Sequence, residues 1–330
     1  MKISNLGIIF VIIVFPMFFH SDARLDEQRS ASETIIQYDW AIRTAVQDAG
    51  VSLTFQEAKI NAPQYDSYKN FKINKEEALR SFYKSLYINL GISDDELAQE
   101  VMQRYIPAIA VVAYDGYWIY TEEKFKDQNG ENVIRTVWKE KKPYSYSDAQ
   151  GNSVGFTLDD YVFAYDAATS QWYEGPREVV SQNVNGRISL LHDPSVFDQV
   201  RRTTIVTSIQ KDLAHFINAH NQYSRLLGIS YTFTLPEIDE EEWNNTINDV
   251  SFLAFIQGLP VGQKQYNRYA FGGGRLIKTD QIYGAVQNGL KIYYRASECF
   301  YPEDQVIEKF TSEKAAAAAG YYPRRCTNGR

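Results

Sequence analysis

The sequence predicts an α+β fold in which a long N-terminal amphipathic helix and further helices pack on an antiparallel β-sheet. Apolar residues recur at helical spacing between residues 25 and 49, and the period changes to two from Ile109 onward. Short turn signals join the strand-like segments. Such turns connect antiparallel neighbours, because a parallel pair needs a crossover of about a dozen residues or more. With 44% apolar residues over 330 positions, the chain can bury a sizeable core.

The changes in periodicity divide the chain into four expected regions. They are a signal peptide or membrane anchor at 1–24, a helical region at 25–106, an antiparallel β-meander at 107–190, and an α+β region with a cysteine-linked tail at 191–330. No internal repeat of fixed period is visible, so a repeat architecture is not expected.

Charge and composition exclude several classes of protein. The sequence has 34 basic and 41 acidic residues and a net charge of −7. Proteins that grip nucleic acid usually present a basic face, so we do not expect nucleic acid as a partner. Two cysteines are too few for a disulfide scaffold or an all-cysteine zinc cage. The 24 tyrosines are typical of half-exposed β-structure.

An apolar run from Leu6 to Phe19 follows Lys2 at the N-terminus. The run is shorter than the roughly 20 apolar residues of a membrane-spanning helix and fits the roughly 7–15 of a signal-peptide core. Ser21-Asp22-Ala23 matches the small-x-small pattern of a cleavage site. We therefore expect export, with the segment either cleaved or kept as an anchor. In both cases the remainder lies outside the cytoplasm, secreted or held at the outer face of the cytoplasmic membrane.

Three helices are expected in the first hundred residues. The first covers residues 25–49, and Gly50 is its predicted C-terminal stop. The second runs from about 75 to 90, with Asn74 as its N-cap and Gly91 as its C-terminal stop.

The third helix is predicted from a capping box. Ser93 and Glu96 are three residues apart. At this spacing the side chain of each residue can accept a hydrogen bond from the backbone N–H of the other. This helix ends near Tyr105, and Pro107 closes the helical region.

A β-hairpin is the strongest strand signal. Strands at 109–114 and 117–121 flank Asp115-Gly116, a pair that favours the positive φ angles of a type I′ turn. Further strands are expected at 133–139, 155–156, 161–165 and 171–173. Since short turns separate them, we expect these segments to be antiparallel neighbours.

The second half of the chain begins with a long helix at about 195–227, which Gly228 ends. Its residues Val200, Ile209, Leu213 and Phe216 are expected to pack on a sheet. The later elements are a strand at 229–234, an acid-started helix after Pro236, and strands at 266–271, 275–278 and 290–296.

Several residues have types that can carry chemistry. His215 and His220 are five apart on a helix and point about 140° apart, so we interpret them as solvated or half-buried rather than as a metal pair. Gly272-Gly273-Gly274 lacks the Gly-Lys-Ser/Thr of a phosphate loop and is interpreted as a hairpin turn. We predict no catalytic residue, cofactor site or metal site.

The two cysteines, Cys299 and Cys326, both lie near the C-terminus. In an oxidising exterior they would close one loop, and the bridge would contribute roughly 3–4 kcal/mol on the chain-entropy model. The export signal, the even count and the shared terminal position predict a disulfide between them. A zinc site and free thiols are the alternatives.

The segment between these cysteines resembles a known tail motif. Cys299 is followed by Phe310-Thr311-Ser312, an alanine run at 315–319, Gly320-Tyr321-Tyr322-Pro323 and Cys326. This order is similar to the small metal-binding tail of the Ada DNA-repair protein, which is also appended to some secreted bacterial nucleases. The resemblance implies the zinc alternative, although Arg324 stands where those tails usually carry a second cysteine.

The front of the chain resembles type IV pilin-like and Tad-type minor pilin proteins of bacteria in its layout. A short apolar run leads into a long amphipathic helix, and an antiparallel sheet follows. In pilins the apolar half of the helix lies in the filament core and the following part packs on the sheet. The resemblance implies an exported envelope protein that acts in interaction or assembly, pilin-like or accessory to a secretion or conjugation apparatus, and is not an enzyme.

The expected partners are other envelope or pilus-like proteins, and the membrane if the N-terminal segment stays uncleaved. One alternative is a secreted hydrolase of wall polymer or nucleic acid, with Asp159 and Asp160 in an aromatic-lined groove. Another is an extracytoplasmic ligand-binding protein. An assembly protein would instead present a tyrosine-rich exposed sheet.

The cysteine pairing gives the first testable prediction. Mass spectrometry of freshly exported protein under non-reducing conditions is expected to show Cys299 bonded to Cys326, because the oxidising exterior favours the bridge. Two thiols that alkylate without reduction would contradict the bridge, and stoichiometric zinc would support the metal alternative.

Overall fold

The computed structural model confirms the α+β class, with helices and antiparallel sheets in both halves of the chain. The structure describes residues 3–53, 73–226, 228–262, 264–273, 282–287, 289–295, 306–310, 316–317 and 319–324, with the backbone alone at 3–27, 282, 295 and 309. The chain divides into two compact units, residues 1–274 and 275–330.

The larger unit is built on a five-stranded antiparallel sheet, called here the central sheet. Its strands, in spatial order, are β3 (Asn132–Trp138), β2 (Gly116–Lys126), β1 (Ile109–Ala113), β8 (Ser251–Val261) and β9 (Lys264–Gly273). The expected antiparallel pairing of β1 with β2 and of β2 with β3 is confirmed.

Strand β8 lies in the middle of this sheet, and sequence analysis assigned no strand there. All of its residues except Pro260 are buried. Phe252 and Ala254 contact the apolar cluster on one face of the sheet, and Leu253 and Phe255 contact the cluster on the other. A strand covered on both faces has no polar–apolar alternation, so the period-two signal is absent from its sequence.

The β1–β2 turn differs from the predicted type I′ turn. Ala113 pairs with Gly116, so the two turn residues are Tyr114 and Asp115, and Gly116 already belongs to β2. Neither Asp115 nor Gly116 has a positive φ. Glycine is needed at 116 for another reason, because a Cβ there would lie 2.5 Å from the carbonyl oxygen of Lys142.

Helix α2 (Lys75–Leu90) has the predicted bounds and caps. The Asn74 side chain accepts a hydrogen bond from the Glu77 N–H, and Gly91 ends the helix in the left-handed conformation. In α3 (Glu96–Gln103) the predicted capping box is wrong. Asp95 is the N-cap and its carboxylate accepts from the Ala98 N–H, since it lies directly before the first helical residue.

Helix α1 covers Ile3–Ser52, so the predicted stop at Gly50 is wrong. Gly50 lies inside the last turn, where a Cβ would be 2.8 Å from the carbonyl oxygen of Gly273. The glycine thus allows the helix to approach the end of β9 rather than ending the helix. Within the described residues, no helix is both long and apolar enough to cross a membrane.

A second, four-stranded sheet is called here the meander sheet. Its strands pair antiparallel in chain order: β4 (Tyr144–Ser147), β5 (Ser153–Phe156), β6 (Tyr161–Asp166) and β7 (Gln171–Pro176). The strands between residues 107 and 190 therefore lie in two sheets rather than in one meander. A short helix, α4 (Arg177–Asn183), follows β7.

The long helix α5 covers Pro194–Leu226, close to its predicted bounds. Ile209 and Leu213 are fully buried, and Val200 and Phe216 pack partly buried against the same cluster, in contact with β2 and β4. After a connecting segment, α6 covers Glu240–Thr246 and confirms the acid-started helix.

The predicted strand at 229–234 is wrong. This segment belongs to no sheet, and two side-chain amides bond the backbone of its last two residues, Phe233 and Thr234. Asn221 donates from Nδ2 to the carbonyl oxygen of Phe233 (2.8 Å) and accepts from its N–H (2.7 Å). Gln257 makes the same pair of bonds with Thr234 (2.7 and 3.1 Å). The two amides make the hydrogen bonds that a neighbouring strand would otherwise make, so the backbone of Phe233 and Thr234 does not require strand pairing.

Two apolar clusters lie on opposite faces of the central sheet. One, formed with α1, α2 and α3, includes Phe82 and Val111. The other, formed with α5, α6 and the inner face of the meander sheet, includes Phe156 and Ile209. The larger unit is therefore layered, and the central sheet separates the two clusters.

The smaller unit has its own sheet, with strand order β12 (Glu308–Phe310), β10 (Ile282–Gln287), β11 (Leu290–Arg295) and β13 (Tyr322–Pro323). The predicted strand at 290–296 is confirmed as β11, and β10 was missed. The predicted hairpin turn at Gly272-Gly273-Gly274 is wrong for its first two residues, because Gly272 and Gly273 belong to β9 and pair with β8. Gly274 and the predicted strand at 275–278 lie outside the described residues.

The two hydrogen bonds between the Asn221 amide and the backbone of Phe233 give a stability prediction. Asn221→Ala is expected to lower the free energy of unfolding by about 2–4 kcal/mol, because it leaves the buried N–H and C=O of Phe233 without partners. Asn218→Ala, at an exposed position of the same helix, is the control and should stay within about 0.5 kcal/mol. Urea unfolding of the full chain measures the free energy of unfolding of both variants. Equal losses in the two variants would contradict a stabilising role for the Asn221 hydrogen bonds.

Candidate assembly interface

Helix α1 packs on the central sheet through the C-terminal part of its length. Between Gln28 and Ser52, where its side chains are described, full burial begins at Ala41. The contact is close, since a Cβ at Gly272 would lie 2.0 Å from the carbonyl oxygen of Val46. The buried residues are small or medium in size and recur at helical spacing: Ala41, Ile42, Ala45, Val46 and Ala49.

The preceding turns of α1 carry a different apolar surface. Ile36 is 68% exposed and Trp40 is 62% exposed. Because they are four residues apart, they lie on one side of the helix. Ile35 and Tyr38 turn the other way and pack against the core. Helix α1 thus has one apolar side that its own sheet covers and a second side that presents a large aromatic ring to solvent.

A polar contact fixes the rotation of α1. The Tyr266 hydroxyl donates to Asp39 Oδ1 at 2.7 Å, and the Arg268 guanidinium lies 3.5 Å from the same oxygen. Burial and the Asp39 carboxylate raise the pKa of Tyr266, so the hydroxyl stays protonated and remains a donor. Since Asp39 is held on the body of the protein, its neighbour Trp40 faces outward.

A cleft of about 320 Å³ lies beside α5 and brings together Tyr117, Lys142 and Asp212. The Tyr117 hydroxyl donates to Asp212 Oδ2 at 2.7 Å, and Lys142 Nζ lies 2.8 Å from both carboxylate oxygens. Burial and Asp212 raise the pKa of Tyr117, which keeps it a donor rather than a base. These bonds tie α5 to β2 and to the segment before β4, and we assign them a structural role.

Asp159 and Asp160 do not form a common site in the structure. Asp159 Oδ1 accepts hydrogen bonds from the hydroxyls of Tyr114 (2.7 Å) and Thr157 (2.8 Å) and from the Tyr161 N–H (3.1 Å). Asp160 is exposed. Asp159 therefore holds the turn before β6, and this geometry does not support the hydrolase alternative.

His220 is buried, at 2% exposure, which corrects the expectation of a solvated or half-buried side chain. Its Nε2 lies 3.1 Å from the carbonyl oxygen of Arg104, and its ring meets Phe233 edge-on at 4.5 Å. Its Nδ1 is 2.8 Å from Glu122 Oε2 without hydrogen-bond alignment. His215 is exposed. Among the described residues, no cluster of His, Cys, Asp and Glu could hold a metal ion.

Cys299 and Cys326 lie outside the described residues, so their disulfide stays a prediction. The described residues of the tail motif form a small aromatic cluster. Phe310 meets Tyr321 edge-on at 5.0 Å, and Tyr321 and Tyr293 pack with Ala316. Gly320 has a φ of 83°, as expected for the residue after a short helix.

Sequence analysis missed the residues that shape the exposed side of α1. Trp40, Asp39 and Tyr266 were not singled out. One signal was present, since Ile36 and Trp40 are four residues apart and out of phase with the stripe that continues through Ala41 and Ala45.

Comparisons with known proteins give no family for this chain. No family model, no curated protein and no solved structure matches it.

Proposed function

We propose that this is an exported bacterial envelope protein that acts as a non-enzymatic assembly component, pilin-like or accessory to a secretion or conjugation apparatus. The observation that carries the proposal is helix α1, which has 50 residues and whose first buried side chain, among those described from Gln28 onward, is Ala41. The exposed side of the turns before Ala41, at Ile36 and Trp40, offers surface to a partner.

The length of α1 supports this use. The helix begins at Ile3, so 38 of its residues precede Ala41, a distance of roughly 57 Å at 1.5 Å per residue. The apolar run from Leu6 to Phe19 belongs to this part. An apolar helix of this kind is stable in a bilayer or among other helices, because water disfavours its surface.

The exposed side of α1 supports a protein partner in addition to lipid. Ile36 and Trp40 expose apolar area on a helix whose rotation the Asp39–Tyr266 contact fixes. Tryptophan is enriched at the centres of protein interfaces, where a large rigid ring buries much area. We assign this surface to the helix of a neighbouring subunit, either a second copy of this chain or another envelope subunit.

Site-specific photocrosslinking in bacterial cells tests the proposal. A photoreactive phenylalanine analogue at position 40 of the full chain is expected to give adducts with a second copy or another envelope subunit. The same analogue at Leu97, which is 72% exposed on α3, is the control and should give none. Removal of residues 1–24 should abolish the adducts, because the chain then stays in the cytoplasm.

A second variant separates assembly from folding. Trp40→Ala should assemble poorly but keep the unfolding free energy within about 0.5 kcal/mol, since the ring is mostly exposed. Equal adducts at positions 40 and 97, or full-length protein confined to the cytosolic fraction, would overturn the proposal.

A further inference from the structure

The outer face of the meander sheet has two unlike halves. Burial alternates along β6, where Val162, Ala164 and Asp166 are buried and the residues between them are not. The cross-strand register assigns the residues of β4, β5 and β7 to faces in the same way. The outer face therefore consists of Ser145, Ser147, Ser153, Gly155, Tyr161, Phe163, Tyr165, Trp172, Glu174 and Pro176.

One half of this face is aromatic. Trp172 is 69% exposed and lies opposite Tyr165 on the neighbouring strand, with ring centroids 5.1 Å apart. Tyr161 and Phe163 continue the row along β6, with centroids 5.7 Å apart. Rings at alternate positions of one strand line up on one face of a sheet, so the row forms a raised aromatic wall.

The other half is low and carries hydroxyl groups. Ser147 and Ser153 lie opposite each other on β4 and β5, with their Oγ atoms 3.0 Å apart. Ser145 and Gly155 form the next cross-strand pair. A Cβ at Gly155 would come within 3.4 Å of the Phe163 Cβ, so the floor at this point is backbone beside the aromatic wall. The aromatic half of the face therefore stands higher than the serine half, and the serine hydroxyls lie beside the faces of the rings.

The face is rigid before anything binds. Val154, Phe156, Val162 and Ala164 bury the inner side of the same strands in the core. Because the sheet is fixed from behind, the rings and hydroxyls need little ordering on binding, which lowers its entropic cost.

We propose that the outer face of the meander sheet binds a neutral glycan chain. A pyranose ring has an apolar face of C–H groups and a rim of hydroxyls, which matches an aromatic wall beside a hydroxyl floor. The charge of the face matches as well, since Glu174 is the one Asp, Glu, Lys or Arg among its residues. Without a basic residue, the face does not fit an anionic lipid surface or a nucleic acid.

The inference is independent of the assembly function proposed for α1. It uses a different sheet and different residues, and its failure would leave the role of α1 unchanged. A protein partner for the same face is the competing outcome, because exposed Trp and Tyr also occur in protein interfaces.

Retention of the purified full chain on insoluble polysaccharides tests the inference. The probes are chitin, cellulose and peptidoglycan sacculi, followed by titration with soluble oligosaccharides of the glycan that binds. Trp172→Ala is expected to weaken binding about tenfold or more, because it removes the most exposed ring of the wall. Leu97→Ala is the matched control, since it removes another large exposed apolar side chain from α3, a surface outside the meander sheet.

The following results decide the question. Ser147→Leu, which fills the floor and leaves the rings in place, should also weaken binding. Both face variants should unfold at the wild-type urea midpoint, because they change exposed residues. Failure of the wild-type chain to bind any of the three polysaccharides, or equal binding by wild type and Trp172→Ala, would overturn the inference. Binding lost equally in Leu97→Ala and Trp172→Ala would also count against it.

Discussion

The burial of β1 and β8 on both faces is the constraint on which the rest of the structure depends. These two strands lie in the middle of the central sheet, and both of their faces carry buried apolar residues. Such strands are stable only when both faces are covered. Helices α1 to α3 cover one face, and α5, α6 and the meander sheet cover the other.

The same constraint explains the use of small residues in the helical layer. Helix α1 covers the sheet at short range because Ala41, Ala45, Gly50 and Gly272 remove side-chain volume at the contact. The far side of the helix faces away from the sheet, and Trp40 lies on that side. The exposed surface of α1 is therefore the side that does not contribute to the close fit on the sheet.

Sequence analysis predicted best the elements whose signal is local. Asn74 and Gly91 bound α2 through their own backbone preferences, so its limits were predicted correctly. Apart from the capping box of α3, where Asp95 is the N-cap, the failures discussed next depend on a distant neighbour. At Gly50 and Gly116 another backbone segment passes too close for a side chain, and these glycines neither end a helix nor form the predicted turn. The segment before Pro236 bonds to Asn221 and Gln257 rather than to a strand. For the candidate site, the sequence showed the amphipathic helix but not which apolar residues the sheet would leave exposed.

The hydrogen bonds of the Asn221 and Gln257 side chains also affect local opening of the folded protein. Four hydrogen bonds from Asn221 and Gln257 hold the backbone of Phe233 and Thr234 without a β-ladder. Breaking them would free the connection between α5 and α6 while every strand pair of the central sheet stays intact. Cooperative units with few backbone bonds open at lower free energy than core strands. Amide protons of this connection should therefore exchange with solvent through a local opening, well before those of the core strands, and a protease should cut this connection before it cuts the core strands.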